Sequence, residues 1–570
     1  MTLDEVVRYH QETKHHFNRY ARSLGHLDWA NQPDPFRRYA GSALIALPRL
    51  KAGDAPPYED LFHPGAIASE PATDRTISRF FEHSLAITAW KQAGEVRWAL
   101  RANPSSGNLH PTEGYLLIDG IAGFSTEPGL YHYAAKEHAL ELRAQWPQEK
   151  ITALLKAFPP HAFLVGFSSV IWREAWKYGE RAFRYCQHDV GHAIGSARIA
   201  ARTLGWRMLL LDGTSDDTVA ALLGLDRPGD FESAEREHPD CLAVVWPADQ
   251  AAGIAKGMPH QIPLSLSMDA ARDLAQLTWH GKANRLSRGD PVHWENIDRA
   301  EAATWKSSTE ERLVDLTQHE SSAPPSVGSS DRALSAYPGQ PNAGQIIRQR
   351  RSALAFDGET AISSASFFAM LARVMPRADR DLCKRPMPWD VLPWEPAIHL
   401  ALFVHRVDGL APGVYLLVRD LRATDPLRRA THPHYVWTPP PGCPEDLPLY
   451  LLEEGNARKM AAQLSCHQDI AADGAFLLGM IAEFDASLAR HGPWFYRRLF
   501  WETGVIGQVL YLEAEAWGVR ATGIGCFFDD PVHRAIGIQD TAFQSLYHFT
   551  VGGPVEDPRL TTLAPYDYDG

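Results

Sequence analysis

The sequence predicts an α+β fold made of two similar domains, and the main reason is an internal repeat. Phe163-Leu164-Val165-Gly166 recurs as Phe476-Leu477-Leu478-Gly479, 313 positions later. The same offset relates Gly179 to Gly492 and Gly191 to Gly504. Several pairs at one offset indicate a tandem duplication. A length of 570 residues is also too great for a single hydrophobic core.

Short apolar runs typical of buried strands alternate with helical periodicity in each half. In the first half the runs at 116–118 and 163–167 predict strands, and the spacing predicts helices over 77–90 and from about 171 to 206. Near the end of the second helix, the small residues Gly191, Gly195 and Ala197 predict a close contact with another helix, of the kind found in dimers.

The domain boundary is predicted from a change in composition. The region around 255–345 is polar and punctuated by Gly and Pro, and residues 321–330 have the Ser/Pro/Gly content of a flexible linker. We therefore predict an N-terminal domain at 1–260, a connecting segment and linker at 261–340, and a C-terminal domain at 341–570.

The totals exclude several classes of function. A net charge of −13 argues against a nucleic-acid groove or an anionic membrane surface as the main partner. No apolar run is long enough to span a bilayer, and the polar start of the chain leads to no signal-peptide core. The six cysteines are scattered without a Cys-x-x-Cys pair, which favours reduced thiols over a disulfide framework or a zinc knuckle. We expect a cytoplasmic protein.

One stretch of the first half can present many polar groups to a ligand. Pro104-Ser105-Ser106-Gly107-Asn108 has the composition of a turn, and the apolar run after Glu113 predicts a buried strand. Such a turn can direct backbone N–H groups and small hydroxyls toward a bound molecule. The simpler alternative is an ordinary loop before a strand.

The order of residues in this stretch adds a resemblance. Pro-Ser-Ser-x-Asn-x-x-Pro before a strand resembles the loop with which flavin reductases of the nitroreductase superfamily contact the FMN ring. The longer form, Arg-x-x-Pro-Ser-x-Gly ending in Glu-x-Tyr, resembles the SagB-type (ThcOx-type) azoline dehydrogenases of that superfamily. The resemblance implies FMN as the cofactor, with contacts from Arg101, Pro104, Ser105, Ser106, Gly107 and Asn108.

Two segments of the second half resemble other parts of the same site. Arg350-Arg351-Ser352, followed by Phe356-Asp357, resembles the motif whose Arg and Ser hold the FMN phosphate and ribityl chain. A guanidinium and a hydroxyl suit a phosphate dianion. Gly523-Ile524-Gly525 resembles the Gly-x-Gly segment beside the isoalloxazine, and Arg559 is a further candidate phosphate contact.

These motifs are divided between the halves in a complementary way. The second half has Leu392-Pro393-Trp394-Glu395-Pro396 in place of the Ser-rich loop, and the first half has Leu210-Leu211-Asp212-Gly213 in place of Gly-Ile-Gly. Nitroreductase-like proteins are usually homodimers that bind FMN between subunits. The resemblance therefore implies an intrachain pseudo-dimer that retains one complete site, and we predict one FMN per chain.

Lys177 and Tyr178 are the predicted catalytic residues, because SagB-type dehydrogenases carry a Lys-Tyr pair at this position. Azoline oxidation requires a base that removes the proton beside the carbonyl while hydride leaves to the flavin. Alternatively, a Lys and a Tyr at a helix start only pack against the surface. The second half has Arg490-His491 here, so no second base is evident.

Two further patterns concern metal and nucleotide binding. His188 and His192 share a helix face, but no Glu follows His188 and no third ligand is apparent, so we predict a structural pair and no metal. No Gly-x-Gly-x-x-Gly follows an early strand, which excludes a Rossmann domain. NAD(P)H would then bind only transiently over the flavin.

The sequence favours an FMN-dependent oxidoreductase of the SagB type, acting on a thiazoline or oxazoline in a modified peptide or a related small metabolite. Molecular oxygen is the expected electron acceptor, and other biosynthetic enzymes are candidate partners. Two alternatives remain open: an NAD(P)H-dependent nitro or quinone reductase on the same fold, and a non-catalytic scaffold that binds a peptide or partner and has a vestigial flavin site.

Overall fold

A computed structural model describes residues 3–49, 55–121, 127–248, 259–272, 277–289, 292–309, 311–316, 337–377 and 382–566. The predicted linker at 321–330 lies outside these residues. None of the described helices is both long enough and apolar enough to cross a membrane.

The helices are α1 (Leu3–Glu12), α2 (Asp74–Ser84), α3 (Gln148–Leu155), α4 (Ile171–Tyr178), α5 (Ala182–Thr203), α6 (Asp216–Leu223), α7 (Met268–Arg272), α8 (Glu295–Thr304), α9 (Ala343–Gln349), α10 (Ser364–Arg373), α11 (Thr424–Ala430), α12 (Arg458–Leu464), α13 (Ile470–Asp473), α14 (Phe484–His491), α15 (Phe495–Ala516) and α16 (Asp529–Ile536).

The strands are β1 (Tyr39–Ala40), β2 (Leu44–Ala46), β3 (Ile87–Ala93), β4 (Val96–Arg101), β5 (Thr112–Ile118), β6 (Gly129–Ala134), β7 (Ala139–Gln145), β8 (Phe163–Ser169), β9 (Trp206–Leu210), β10 (His238–Pro247), β11 (Gln261–Pro263), β12 (Lys282–Ala283), β13 (Leu313–Asp315), β14 (Ile362–Ser363), β15 (Ile398–Val404), β16 (Val407–Asp408), β17 (Gly413–Leu417), β18 (Leu449–Glu454), β19 (Phe476–Glu483), β20 (Arg520–Ile524), β21 (Phe543–Gly552) and β22 (Thr561–Leu563).

Each half contains one large antiparallel sheet, and the two sheets share a strand order. In the first half the order is β2-β7-β6-β5-β8-β10-β9, and in the second it is β18-β17-β15-β19-β21-β20. Apart from the additional edge strand β2, each strand of one sheet has a counterpart in the other. The repeated sequence at 163–166 and 476–479 lies in β8 and β19, which are buried strands inside their sheets. The fold is therefore mixed α/β and larger than one domain.

The long helices α5 and α15 pack closely against each other, as the small residues predicted. A Cβ atom added to Gly191 would lie 2.3 Å from the Trp501 carbonyl oxygen, and one added to Gly504 would lie 2.3 Å from the His188 carbonyl oxygen. Only a residue without a side chain permits backbones to approach this closely. The largest hydrophobic core contains residues from both halves.

Two predicted helices differ from the structure. The helix expected over 77–90 ends at Ser84, because Ile87–Ala93 forms strand β3 and pairs with β4. The helix expected over 171–206 is interrupted at Gly179 and ends at Thr203. Gly179 has a φ of +56°, and a Cβ there would lie 2.2 Å from the Arg22 carbonyl oxygen, so the N-terminal arm occupies the space at the break.

The far end of the described chain returns to the first half. Strand β22 pairs with β3, which makes a three-stranded sheet with β4. Beyond β22, the Tyr566 hydroxyl accepts a hydrogen bond from the Ile87 backbone N–H at 3.0 Å, and the Pro565 carbonyl accepts one from Trp90 Nε1 at 2.8 Å. The last described segment therefore stabilises β3, the first strand of the β3–β4 hairpin that precedes the Ser-rich loop.

Candidate functional site

The Ser-rich loop, residues 104–108, is anchored to helix α5 by a buried carboxylate. Asp189 accepts hydrogen bonds from the Ser106 backbone N–H and from the Ser106 hydroxyl, both at 3.0 Å. Ser105 Oγ accepts from the His110 backbone N–H at 2.8 Å, and the Asn108 amide donates to the Ala99 carbonyl at 2.8 Å. These contacts fix the loop as a rigid turn.

Lys177 and Tyr178 lie against the tip of this loop. A Cβ atom placed on Gly107 would be 2.5 Å from the Tyr178 hydroxyl and 3.0 Å from Lys177 Nζ. Both side chains are half-buried, and the Tyr178 ring is 4.5 Å from the Tyr185 ring. Burial, together with the nearby carboxyl of Glu174, raises the pKa of Tyr178 well above its ordinary value. The Tyr178 phenol is therefore protonated and can donate a hydrogen bond or a proton.

Arg350 reaches from the second half to the first half beside the loop. Its guanidinium is buried, donates to the Arg101 carbonyl at 2.8 Å and lies 5.1 Å from the Tyr511 ring centre. It forms no ion pair with any residue of the described chain. Burial without an anionic partner lowers the pKa of Arg350. An anionic or acceptor-rich ligand would satisfy this cation.

The Arg-Arg-Ser and Gly-Ile-Gly segments meet at Tyr511. The Tyr511 hydroxyl is 2.9 Å from Ser352 Oγ and accepts from the Gly523 backbone N–H at 2.9 Å. The backbones of Ser352 and Ala521 also form an isolated parallel β-bridge, and Ala521 lies two residues before Gly523. Two stretches separated by about 170 positions are thus held together by one tyrosine.

The two glycines of the Gly-Ile-Gly segment each face a tyrosine; one tyrosine belongs to helix α5 and the other packs against it. A Cβ on Gly525 would be 2.3 Å from the Tyr185 ring, and one on Gly523 would be 1.9 Å from the Tyr547 hydroxyl. Tyr547 stacks on His188 of α5 with ring centres 4.2 Å apart. Helix α5 therefore contacts the Ser-rich loop on the side of Asp189 and approaches Gly-Ile-Gly through Tyr185 and His188.

Other predicted site residues have contacts of a structural kind. Pro104 and Arg101 are buried, and Arg101 donates to the Pro35 carbonyl at 2.6 Å. Arg351 donates to backbone carbonyls and to a threonine hydroxyl, and the Ile524 side chain packs in a hydrophobic core. Arg559 is exposed and pairs with Asp557 at 2.7 Å.

The predicted histidine pair, His188 and His192, lies on the face of α5 that packs against the second half. His188 Nδ1 is 2.9 Å from the Thr503 hydroxyl, and His192 Nε2 is 3.3 Å from the Tyr547 hydroxyl. Burial lowers the pKa of both imidazoles, so both are neutral. Their partners are hydroxyl groups, as expected for a pair that packs the core between the halves.

Sequence reasoning missed two buried carboxyls, Asp189 and Glu174. Burial raises the pKa of Asp189 to about 7, although Ser105 and Ser106 oppose the shift. Both carboxyl oxygens of Glu174 are buried and have no hydrogen-bond partner among the described residues. Burial and the neighbouring Asp189 raise its pKa well above the ordinary value. The site therefore has two proton-holding groups next to Lys177 and Tyr178.

The repeat offset could have identified Asp189. Its counterpart 313 positions later is Glu502, which accepts the Ala397 backbone N–H at 3.0 Å just after the loop at 392–396. In the second half, however, Arg419 pairs with this carboxylate, whereas no basic side chain of the described chain pairs with Asp189. The anchoring carboxyl group therefore has a cationic partner in the second half and none among the described residues of the first half.

The corresponding region of the second half has a different chemistry. A cavity of about 230 Å³ lies there, lined by Glu395, Arg422, Arg490 and His491 among others. Arg422 pairs with Glu395 at 2.7 Å, so the charged groups largely satisfy one another. At the positions of Lys177 and Tyr178 this cavity has Arg490 and His491, and the loop at 392–396 contains no serine.

Several buried polar atoms around Arg350 have no hydrogen-bond partner within the described chain. They are Arg350 Nε, His192 Nδ1 and both amide atoms of Gln508. Such atoms are costly unless a ligand or water pairs with them. A ligand with hydrogen-bond acceptors would satisfy the buried N–H of Arg350.

Comparisons with known proteins relate part of the chain to one family and the whole chain to one fold. Residues 73–234 match the nitroreductase family. The chain is 30% identical to the trifolitoxin-processing protein TfxB of Rhizobium leguminosarum bv. trifolii over 136 residues, 22% of this chain and 36% of that protein. It is 25% identical to a nitroreductase-like protein of Methanocaldococcus jannaschii over 161 residues, 27% of this chain and 76% of that protein. The match thus spans only about a third of TfxB.

A solved structure extends the similarity over the full length. A nitroreductase-like protein from Anabaena variabilis aligns with 97% of this chain and 99% of its own, with a TM-score of 0.64 and 22% sequence identity. At this identity the likeness concerns the fold. The chain therefore contains a nitroreductase family domain at residues 73–234, within a fold shared with the Anabaena protein.

Proposed function

We propose that the protein is an FMN-dependent oxidoreductase that binds one FMN per chain between two fused nitroreductase-like domains, at 1–260 and 341–570. The observation that carries the proposal is the convergence on helix α5 of the loop at 104–108 from one half and Gly523–Gly525 from the other. The shared strand order of the two sheets supports the tandem origin. A fused pseudo-dimer accounts for both features.

The residues present fit this cofactor. Arg350, which is buried and donates to the Arg101 carbonyl, and Ser352 would hold the phosphate and ribityl chain, and the loop and Gly523–Gly525 would enclose the ring. Gly107, Gly523 and Gly525 pack against Tyr178, Tyr547 and Tyr185, so a side chain at any of these glycines would displace a tyrosine of the candidate site. Bound FMN supplies the acceptor for a hydride.

We propose further that the reaction is the oxidation of an azoline ring, as in SagB-type dehydrogenases. Support comes from the position of Lys177 and Tyr178 against Gly107. In this reaction the Lys177 amine takes the proton from the carbon beside the carbonyl, and the protonated Tyr178 phenol orients the substrate by a hydrogen bond. Glu174 and Asp189 hold protons close by.

The substrate class is a thiazoline or oxazoline in a modified peptide or a related small metabolite. The match to TfxB, a trifolitoxin-processing protein, favours a peptide and makes other biosynthetic enzymes candidate partners. The likeness to nitroreductase-like proteins favours, as the second candidate, an NAD(P)H-dependent nitro or quinone reductase. The two candidates differ in electron donor.

The first test is flavin content. An absorbance spectrum of the purified protein, with released flavin quantified against chain concentration, is expected to give one FMN per chain. Arg350→Ala should weaken FMN binding at least about tenfold, because it removes a charge-assisted contact, and Arg559→Ala is the matched control. Two FMN per chain would contradict the single-site argument. No flavin, even after soaking in FMN, would refute the oxidoreductase and leave the scaffold.

The second test separates the two reactions. A thiazoline-containing peptide under oxygen should yield the thiazole and hydrogen peroxide, with poor NADPH turnover on a nitroaromatic acceptor. Lys177→Met and Tyr178→Phe should each lower azoline turnover about a hundredfold or more while FMN content is unchanged. Lys156→Met, at an exposed position, is the control. Fast NADPH turnover that neither site variant affects would favour the reductase instead.

A further inference from the structure

Three residues that are far apart in the sequence converge beside the Gly-Ile-Gly segment. They are His15, in the arm after helix α1, Cys466, in the turn after α12, and Cys526, in the loop between β20 and α16. One ligand atom from each lies within 4.8 Å of the others. Cys526 Sγ is 4.0 Å from His15 Nδ1 and 2.7 Å from Cys466 Sγ. Both cysteines are free thiols.

We propose that His15, Cys466 and Cys526 form a binding site for a zinc-class divalent cation. Two thiolates and one imidazole are a ligand set that Zn²⁺ prefers among the common biological cations. Three protein ligands leave a fourth position for water or an exogenous ligand. The sequence predicts no metal, since His188 and His192 lack a third ligand and the scattered cysteines form no Cys-x-x-Cys pair.

The geometry requires only a small adjustment. Ligand atoms of a tetrahedral zinc site are separated by about 3.5–3.8 Å, from the usual Zn–N and Zn–S bond lengths. His15 and Cys526 are already near this separation, and the two sulfurs must move apart by about 1 Å. Both cysteines are half-buried, and Cys466 lies in a turn with a φ of +55°. A side-chain rotation there is sufficient.

His15 is held in place for this role by contacts other than the cysteines. Its backbone N–H donates to Asp529 Oδ2 at 2.9 Å, and the preceding Lys14 pairs with Asp530 at 2.8 Å. Its side chain is only 8% exposed, and Nε2 has no hydrogen-bond partner within the described chain. A buried imidazole whose Nδ1 faces the Cys526 sulfur, on a backbone held by Asp529, is already oriented as a metal ligand.

A disulfide between Cys466 and Cys526 is the main competing explanation. It would use both sulfurs but would leave the buried imidazole of His15 without a function. A cation would use all three groups and would tie the N-terminal arm to the second half of the chain. The cation site is independent of the proposed flavin chemistry, so each can fail without the other.

Cobalt binding tests the proposal directly. The untagged full-length protein, with its thiols reduced by a phosphine and its metal removed by a chelator, is titrated with Co²⁺. We expect one equivalent to bind with a thiolate-to-cobalt charge-transfer band, and Zn²⁺ to abolish that band. Metal analysis of the protein purified without a chelator should give about one zinc per chain.

Variants identify the ligands. His15→Ala, Cys466→Ser and Cys526→Ser should each weaken cobalt binding at least about tenfold, because each removes a ligand. Cys443→Ser, which changes a half-buried cysteine that contacts Leu447, should bind like the parent. Absence of the charge-transfer band in the reduced parent protein would overturn the proposal without any variant. Equal binding by the parent and by Cys526→Ser would overturn it as well.

Discussion

The crossing of helices α5 and α15 leads to a quantitative prediction for Gly191→Ala. The new methyl group would lie 2.3 Å from the Trp501 carbonyl oxygen and 2.8 Å from the Gly504 Cα atom. Both neighbours are backbone atoms, so neither can rotate away. The two helices would have to separate by about 1 Å to restore an ordinary contact distance.

The expected cost follows from two opposing effects. Overpacking a buried contact typically costs about 1–3 kcal/mol, and a backbone collision belongs at the upper end. Replacing a helical glycine by alanine returns about 1 kcal/mol. The net loss of unfolding free energy is therefore about 2 kcal/mol, which for a cooperative unit of 150–250 residues lowers the Tm by about 4–8 °C.

Gly195→Ala is the matched control, one turn further along the same helix. Its methyl group would lie 3.1 Å from the Gln508 Cβ atom and 3.5 Å from the Val505 Cα atom, so a displacement of a few tenths of an ångström restores an ordinary contact. We expect its unfolding free energy to stay within about 0.5 kcal/mol of the parent. Thermal melts followed by circular dichroism and urea midpoints measure both variants. If Gly191→Ala is as stable as Gly195→Ala, the close backbone approach is refuted.

Three further predictions concern buried charges. Because burial raises the pKa of Asp189 to about 7, the folded chain keeps a proton that the unfolded chain releases above about pH 4, so Asp189 lowers stability progressively as the pH rises to 7. Between pH 5 and 8 the parent should therefore lose about 2–3 kcal/mol more unfolding free energy than Asp189→Asn, measured by urea midpoints. If the unfolding free energies of parent and variant change equally with pH, this prediction is contradicted. Burial opposes the His132 charge, but hydrogen bonds to two glutamates outweigh it and raise its pKa to about 9. The charged imidazole stabilises the fold fully below about pH 6.5, and this contribution is lost as the pH rises through 9. The destabilisation caused by His132→Gln should therefore shrink over that range in the same assay. A destabilisation that does not change with pH would argue against the ion pairs. Arg419→Met leaves the Glu502 carboxylate buried without its cation and should cost about 3–5 kcal/mol in a urea melt, of which an added Glu502→Gln should restore a large part.

The sequence predicted those features that depend on local pattern. The small residues around Gly191 indicated the helix crossing, and the offset of 313 indicated which strands correspond. The strand at Ile87–Ala93 could not be recognised, because helical spacing continued through it while its partner strands, β4 and β22, decide its conformation. The break at Gly179 likewise depends on the Arg22 backbone, which no local pattern reveals.

The residues of the candidate site divide in the same way, into those that a local motif reveals and those that only the folded chain brings together. The loop serines and Gly523–Gly525 were found from motifs, and the structure brings them to one helix. Asp189 was missed because a single aspartate in a helix with other polar residues carries no signal, although its acidic counterpart at 502 was available through the repeat. His15 and the two cysteines have no sequence spacing in common, so only the folded chain brings them together.

The pairing of β22 with β3 determines when the first half can be completed during synthesis. Lys91 and the Thr562 hydroxyl that it contacts are separated by 471 residues. At a ribosomal rate of about 5–20 residues per second, strand β3 waits roughly 25 to 90 seconds for this neighbour. During that time one edge of the sheet that precedes the Ser-rich loop has unpaired backbone groups, which favour association with other nascent chains. Chaperones that cover strand edges should therefore matter more for this protein than for a chain whose sheet strands are all close in sequence.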